Sequence, residues 1–258
     1  MLKSLISAFT MYSRLPVPFS LQKGEPGRYS VCFFPAVGMV TGALEYGLFR
    51  LGMHLTPAAP RPSILIPALM TALPLIVTGG IHFDGFLDTS DALASWKSRE
   101  EKLRIMKDPH PGAFAIIRGI LIELLYLGFF SAAGEGAVRT ACAGFVLSRA
   151  MSGWSLMALP KARQDGMLKT EAERQAGPVK TVLFAEMLLL AAVMLLMSPV
   201  CGAAGAAAAF LTMFHYHRTA LKEFGGTTGD LAGWFLVRCE VFVLAAAVAA
   251  EICMGMIR

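Results

Sequence analysis

The sequence predicts an all-α polytopic integral membrane protein with about seven transmembrane helices and additional helices at the cytoplasmic interface. Of its 258 residues, 55% are hydrophobic and only 16% are charged, whereas soluble domains carry about 25% charged residues. The mean hydropathy is +0.59, and apolar runs recur at membrane-spanning length. These runs are continuous rather than alternating, which excludes a β-barrel. A soluble, all-helical protein that buries the same runs is the alternative.

Seven apolar segments follow one another along the chain. They lie at about 31–49, 63–80, 113–132, 136–159, 181–197, 200–216 and 234–256. The fifth and sixth are joined by Ser198-Pro199 and predict a helical hairpin. Residues 1–19 predict an amphipathic interfacial segment rather than a signal peptide, because Arg14 interrupts the apolar stretch and no small-residue cleavage site follows.

The distribution of Lys and Arg predicts the orientation in the membrane. These residues are concentrated in residues 1–30 and in the loops 81–112, 160–180 and 217–233, while the alternate connections carry few. The N-terminus and the long polar loops are therefore expected in the cytoplasm, and seven spans would place the C-terminus outside. The net charge of +5 is assigned to these loops, and no nucleic-acid partner is expected. With no internal repeat or linker, residues 1–258 are expected to form one membrane-embedded domain.

Buried charges and the cysteines give two further expectations. Glu45, Arg139 and Arg149 lie within predicted spans, where a charge is costly and faces a cavity or a partner. Arg149 in particular is expected to have an anionic partner. The five cysteines are odd in number and form no C-x-x-C pair, so they are expected to be inert thiols.

The run from Gly79 to Asp91 concentrates acids directly after the second apolar segment. If a helix continues through it, Asp84, Asp88 and Asp91 are spaced i, i+4 and i+7 and share one face. Like charges at this spacing repel, so a neutralising cation is favoured, and Mg²⁺ bound to carboxylates, water and a substrate phosphate suits the pattern. The alternative is a solvated helix start, where the macrodipole favours acids. His82 lies in the same run.

Three further polar motifs are candidates for phosphate binding. Residues 96–112 combine cations with apolar residues and predict either an interfacial helix ending at Pro109 or a phosphate-binding segment that includes Lys107 and Asp108. The glycine- and threonine-rich run 224–230 predicts a tight loop whose backbone N–H groups can hold a phosphate, or a plain turn. Arg14, in the run 14–18, is a surface turn residue or a substrate contact.

These motifs together resemble the adenosylcobinamide-GDP ribazoletransferase family, also called cobalamin synthase or cobalamin-5′-phosphate synthase. Five family patterns occur in family order between residue 14 and about residue 240: R-L-P-x-P at 14–18, F-P-x-V-G at 34–38, G-G-x-H-x-D-G-x-x-D-T-x-D at 79–91, I-M-K-D-x-x-x-G at 105–112 and G-G-x-T-G-D at 225–230. The acidic pattern is the most specific of the five.

The resemblance implies a multi-pass helical enzyme of the cytoplasmic (inner) membrane, with its active site on the cytoplasmic side. Such an enzyme joins α-ribazole, or its 5′-phosphate, to adenosylcobinamide-GDP and releases GMP, late in cobalamin biosynthesis. Mg²⁺ is the expected cofactor, and the lipid bilayer, a second copy of the chain or other cobalamin-assembly enzymes are the expected partners. Asp84 and Asp88 are predicted as catalytic residues and metal ligands, with Asp91 and Asp230 as further ligands. The predicted substrate-binding residues are His82, Arg14, Lys107, Asp108, Thr228 and Gly229.

One departure and three rival classes bear on this interpretation. The family often carries two acids in its last span, and this chain has Val237 at the first place and Glu240 at the second, so no role is predicted for Glu240.

A CDP-alcohol phosphotransferase would show D-G-x-x-A-R, whereas Asp84-Gly85 is followed here by Phe-Leu-Asp. A membrane prenyltransferase would show two Asp-rich repeats. A cation transporter would place acids within its spans and often in repeated halves.

Overall fold

The computed structural model describes residues 1–18, 21, 26–55, 64–163, 167–175 and 177–257, and these residues form α-helices and no named strand. The helices are α1 (Leu2–Tyr12), α2 (Phe34–Leu55), α3 (Leu65–Thr78), α4 (Ile81–Ala94), α5 (Arg99–Ile105), α6 (Ala113–Ala132), α7 (Glu135–Ala158), α8 (Met167–Arg174), α9 (Val179–Met197), α10 (Pro199–Thr219) and α11 (Gly229–Ile257). A 3₁₀ turn at Val31–Phe33 precedes α2, and a π-helical turn at Ala220–Phe224 follows α10.

Six of the seven predicted apolar segments coincide with helices of 19 residues or more, and the second lies largely in α3, which has 14 residues. The helices confirm the all-α membrane class. Among the described residues, three helical segments are long and apolar enough to cross a membrane: Val31–Leu55, Ala113–Ala132 and Val179–Met197. The pair α3 and α4 meets the same test jointly, as a segment bent by 94°. Three or four spans are thus supported by length and composition, and the total of about seven stays a prediction.

The bend between α3 and α4 is made by two glycines in the left-handed region. Gly79 has φ +64° and Gly80 has φ +79°, a conformation that costs other residues free energy because of their Cβ atom. The Gly80 N–H closes the end of α3 by donating to the Leu75 carbonyl at 2.9 Å. Because helix resumes at Ile81, the acidic run is helical as predicted, and it leaves the direction of the preceding apolar helix.

The core of the molecule is built around α7 and α11, which pack on each other and on neighbouring helices. Glycines allow close approach at these contacts: a Cβ at Gly42 of α2 would lie 2.6 Å from the Cys142 carbonyl oxygen of α7. Between α7 and α11, the Arg149 guanidinium donates to the Glu240 carboxylate at 2.8 Å, and both side chains are buried. This pair confirms the expectation of an anionic partner for Arg149.

The hairpin predicted at Ser198-Pro199 is also confirmed. Helix α9 ends at Met197, and α10 begins at Pro199, whose fixed φ suits the first helical position. The two helices then pack closely, because a Cβ at Gly202 would meet the backbone of Met194.

Helix α1 is amphipathic as predicted, and α5 is shorter than expected. Helix α5 ends at Ile105 rather than near Pro109. Its Lys102 is buried and donates to Glu223 at 2.5 Å, and this hydrogen bond lowers the pKa of the Glu223 carboxyl. Lys102 is therefore engaged in joining α5 to the turn after α10, instead of pointing at solvent as a phosphate-binding cation.

The contact between α4 and α11 depends on two glycines, one from each helix. A Cβ at Gly85 would lie 2.7 Å from the Cα atom of Asp230, and a Cβ at Gly233 would lie 2.7 Å from the His82 carbonyl oxygen. Backbone atoms line both clashes, so neither can be relieved by turning a flexible side chain. This contact brings the acidic face of α4 against the first turn of α11.

We expect Gly85→Ala to separate α4 from α11 and to destabilise the protein by about 1–3 kcal/mol, the usual cost of overpacking a close contact. Gly128→Ala in α6 is the matched control, because nothing lies within 4 Å of a Cβ there. The midpoint of thermal unfolding in detergent measures both. Equal midpoints for the two variants would contradict the close contact.

Candidate functional site

Four carboxylates meet where α4 packs on the first turn of α11. Asp84, Asp88 and Asp91 follow one another along α4, and Asp230 is the second residue of α11. Asp84 is exposed and the other three are half-buried. The Asp88 carboxylate interacts electrostatically with the three other acids and with the guanidinium of Arg163. The predicted metal ligands are thus neighbours, and Asp230 joins the acidic run although it is far away in sequence.

Three cavities surround this acidic cluster, and Asp84 lines all of them. The largest, about 820 Å³, opens between the end of α1 and the α3–α4 turn. A second, about 200 Å³, lies between α4 and the segment after α5. The third, about 300 Å³, reaches inward between α1, α2, α4, α7 and α11, and Asp230 also lines it. Asp91 is not among the described residues that line these cavities, and its carboxylate lies against Gly112 instead.

Arg14 lies in the largest cavity, as expected for a substrate contact. Its backbone N–H donates to the Val77 carbonyl at 2.8 Å, which fixes the chain after α1 to the end of α3. Its side chain passes over Gly79, where a Cβ would collide with it. Both glycines make the bend, and Gly79 also leaves room for the exposed side chain of Arg14. Arg14 and Asp84 line the same cavity.

Lys107 and Asp108 line the second cavity opposite Asp84 and Asp88. The Asp108 carboxylate accepts from the backbone N–H of His110 at 2.9 Å and lies 3.0 Å from its Nδ1 atom. These hydrogen bonds lower the pKa of Asp108. The segment after α5 therefore faces the acids with both a cation and a carboxylate.

His82, Thr228 and Gly229 are placed around the third cavity in different ways. His82 and Gly229 line it, and the His82 ring packs edge-on against Phe34 with centroids 5.7 Å apart. The Thr228 side chain is buried and accepts from the Leu231 N–H at 3.1 Å, as a cap of α11. Its structural role is therefore visible, while its predicted contact with substrate stays a prediction.

Sequence reasoning missed Arg163. It lines the third cavity, and its guanidinium lies 3.9 Å from the Asp230 carboxylate while donating to the Leu103 carbonyl at 2.8 Å. The chain before it is fixed by a pair of backbone hydrogen bonds between 160–162 and Thr227. Arg163 lies in a loop outside the quoted motifs, and the only signal was its position in a loop rich in Lys and Arg.

The donor set suits Mg²⁺ in its chemistry, because it consists of hard carboxylate oxygens beside open space. Among the described residues, no three His, Cys, Asp or Glu side chains already form a metal cluster. This arrangement fits a Mg²⁺ ion that takes one or two carboxylates and completes its shell with phosphate oxygens and water. Asp84 and Asp88, which line the second cavity together, are the residues best placed to hold it.

Comparison with known proteins identifies related chains over nearly the whole length. Residues 4–248 match the family model of cobalamin-5-phosphate synthase. An adenosylcobinamide-GDP ribazoletransferase of Lachnoclostridium phytofermentans is 41% identical over 97% of this chain and 95% of its own. Proteins of the same name from Deinococcus radiodurans and Clostridium perfringens strain 13 are 32% and 29% identical, covering 94% and 92% of this chain and 84% and 94% of their own. No solved structure matches significantly.

Proposed function

The chain belongs to the cobalamin-5-phosphate synthase family, and we propose that it catalyses the ribazoletransferase reaction at the acidic cluster. It transfers the adenosylcobinamide phosphate group of adenosylcobinamide-GDP to α-ribazole or α-ribazole 5′-phosphate. The products are GMP and adenosylcobalamin or its 5′-phosphate, late in cobalamin biosynthesis. The observation that carries the assignment of the site is the position of Asp84 at the junction of three cavities.

The chemistry requires two large reactants to meet at one phosphorus atom. A ribose hydroxyl of α-ribazole forms a new P–O bond to the phosphorus that carries the cobinamide, and the P–O bond to GMP breaks. The cavities on different sides of Asp84 give the two reactants separate approaches to this carboxylate. Holding the reactants in this geometry supplies most of the rate enhancement in such transfers.

Three cations near the acids are proposed to bind the diphosphate. Arg14 and Lys107 line cavities on two sides of Asp84, and Arg163 lies beside Asp230. They stabilise the negative charge on the diphosphate as GMP leaves. A carboxylate of the cluster accepts the proton of the attacking hydroxyl, and Asp84 and Asp230 are the candidates because both line the third cavity.

Mg²⁺ is proposed as the cofactor, held by Asp84 and Asp88 with Asp230 and Asp91 nearby. When bound, it would neutralise the diphosphate and the like charges of α4. We expect chelation of divalent cations to abolish GMP release and added Mg²⁺ to restore it. Comparison of turnover in chelator, in chelator followed by excess Mg²⁺, and in K⁺ at matched ionic strength tests this. Full turnover in chelator would contradict the proposal.

The position in the cell follows from the charge pattern. The acidic cluster lies among the loops 81–112, 160–180 and 217–233, which are rich in Lys and Arg, and such loops stay in the cytoplasm. We therefore propose a cytoplasmic (inner) membrane enzyme whose active site opens to the cytoplasm. Single cysteines can be introduced at Lys97 and at Arg50 in a variant whose five native cysteines are replaced. Labelling them from either side of sealed vesicles would separate the two orientations.

The experiment that tests the function is conversion of adenosylcobinamide-GDP and α-ribazole by the purified chain in lipid nanodiscs. Formation of GMP and the cobalamin product in equal amounts is the expected result. If folded protein in lipid gave neither product, the assignment would be wrong.

A further inference from the structure

The third cavity has the most apolar lining of the three, and this lining continues into the acidic cluster. Its apolar lining includes Met11, Phe34 and Leu156, and Asp84 and Asp230 line the end that belongs to the acidic cluster. Two further charged residues, Arg163 and Glu171, also line it. The aromatic rings at this cavity form a continuous group, with Tyr12 and Phe34 centroids 4.2 Å apart and Phe34 and His82 centroids 5.7 Å apart. The cavity therefore suits a molecule with a flat apolar part and a polar part.

We propose that this cavity is the binding site for the aromatic base of α-ribazole, and that its acidic end receives the attached ribose. This inference rests on the proposed function and extends it by assigning one reactant to one cavity. The base is a bicyclic benzimidazole without exocyclic hydrogen-bond donors, so an apolar and aromatic lining is the appropriate surroundings. The ribose hydroxyls would then lie beside Asp84 and Asp230, where the nucleophile is needed.

Size separates the two reactants between the cavities. A volume of about 300 Å³ lies at the small end of the range for small-molecule sites, roughly 300–1,000 Å³. It can hold a nucleoside, whereas a corrin macrocycle carrying a nucleotide cannot enter it. The cavity of about 820 Å³ beside Arg14 is the one open enough for part of adenosylcobinamide-GDP.

Hydrogen-bonding capacity separates benzimidazole from guanine, the other flat base in the reaction. Guanine presents N–H donors that need a free acceptor when buried. The carboxylate of α8 at this cavity, Glu171, is 2% exposed and already engaged. One oxygen accepts from the Ser30 hydroxyl and from Gln175, and the other from Arg174 at 3.0 Å. Glu171 is thus taken up by contacts within the protein, and the side chains of Met11, Phe34 and Leu156 offer guanine no acceptor. This part of the lining favours a base without donors.

The same contacts hold one wall of the cavity in place. Glu171 and Gln175 tie the segment 167–175 to Ser30, just before α2. Because Glu171 lines the cavity, α8 contributes to the wall of the proposed base site.

Filling the cavity tests the proposal. Ala232 lines it from α11, and Ala232→Leu adds bulk there; Ala207→Leu, at an exposed position of α10, is the matched control. We expect the KM for α-ribazole to rise at least about tenfold in Ala232→Leu, a loss of about 1.4 kcal/mol. The KM for adenosylcobinamide-GDP should stay near that of wild type, and Ala207→Leu should change neither.

The other outcomes of this test are distinct. A rise only in the KM for adenosylcobinamide-GDP would place guanine or the corrinoid in the cavity and overturn the proposal. Unchanged KM values for both substrates in a folded variant would show that the cavity holds neither. Absence of activity in wild type would overturn the proposed function itself, which is a separate failure.

A comparison of ribosides on wild-type protein needs no variant and guards against misfolding of Ala232→Leu. Ribosides of 5,6-dimethylbenzimidazole, benzimidazole and adenine in the same α-linkage serve as acceptors. We expect the apparent KM to be lowest for the dimethylated base and highest for adenine, whose amino group has to be desolvated. The reverse order would contradict an apolar base site.

Discussion

Asp84→Asn is expected to reduce turnover by about 10²–10³-fold or more, while the protein remains folded. A single group that stabilises developing charge in a closed site is worth this much in other enzymes. Asp84 also lines all three cavities, so its replacement affects the cation site and both substrate approaches together. The side chain is exposed, and the substitution keeps its size, so little stability is at risk. GMP release in nanodiscs measures the effect.

Glu100→Gln is the matched control for this loss of one negative charge. Glu100 is exposed in the first turn of α5 and lines none of the three cavities among the described residues. We expect turnover within about twofold of wild type, because surface changes away from such features have small effects. If Asp84→Asn behaved like this control, Asp84 would not be part of the catalytic machinery.

Glu240→Leu is expected to destabilise the protein by about 3–5 kcal/mol, because it leaves the Arg149 guanidinium buried without its anion. The two side chains are 2.8 Å apart, and Arg149 is fully buried between α7 and α11. When Glu240 is replaced, the desolvation cost of burying the Arg149 guanidinium remains, and no anion compensates for it. The free energy of unfolding, from titration of the lipid- or detergent-embedded protein with a denaturing detergent, measures the loss.

The double variant Arg149→Leu with Glu240→Leu distinguishes loss of the pair from loss of one side chain. When both charges are replaced by apolar groups, the cost is often neutral, so we expect most of the stability to return. If the double variant were as unstable as the sum of both single variants, the two residues would act independently, and the ion pair would not explain the effect.

The acidic helix is the clearest example of a feature that the sequence alone predicts. The spacing of Asp84, Asp88 and Asp91 is a property of the helical repeat, so a helix at 81–94 puts them on one face whatever surrounds it. The glycine pair before them marks the change of direction for a similarly local reason, since both residues adopt positive φ. The apolar runs predict long helices through composition alone.

Other features depended on contacts between distant segments. Lys102 of α5 pairs with Glu223, 121 residues further along the chain, and no local pattern predicts this contact. By helical spacing, Asp91 shares a face with Asp84 and Asp88. In the structure, however, its carboxylate lies against Gly112, whereas Asp84 lines three cavities. Arg163 reaches the site only because its loop pairs with Thr227.

The sequence by itself therefore determined the membrane class, the helical segments, the acidic face and the family resemblance, because hydropathy, helical period and motif spacing are properties of neighbouring residues. The tertiary structure decided which acid lies at the junction of the cavities, which anion neutralises Arg149, and that an arginine outside the motifs joins the site. The physical reason is packing: Gly85 and Gly233 allow α4 and α11 to approach at backbone distance, and this contact brings Asp230 to Asp84 across more than half of the chain.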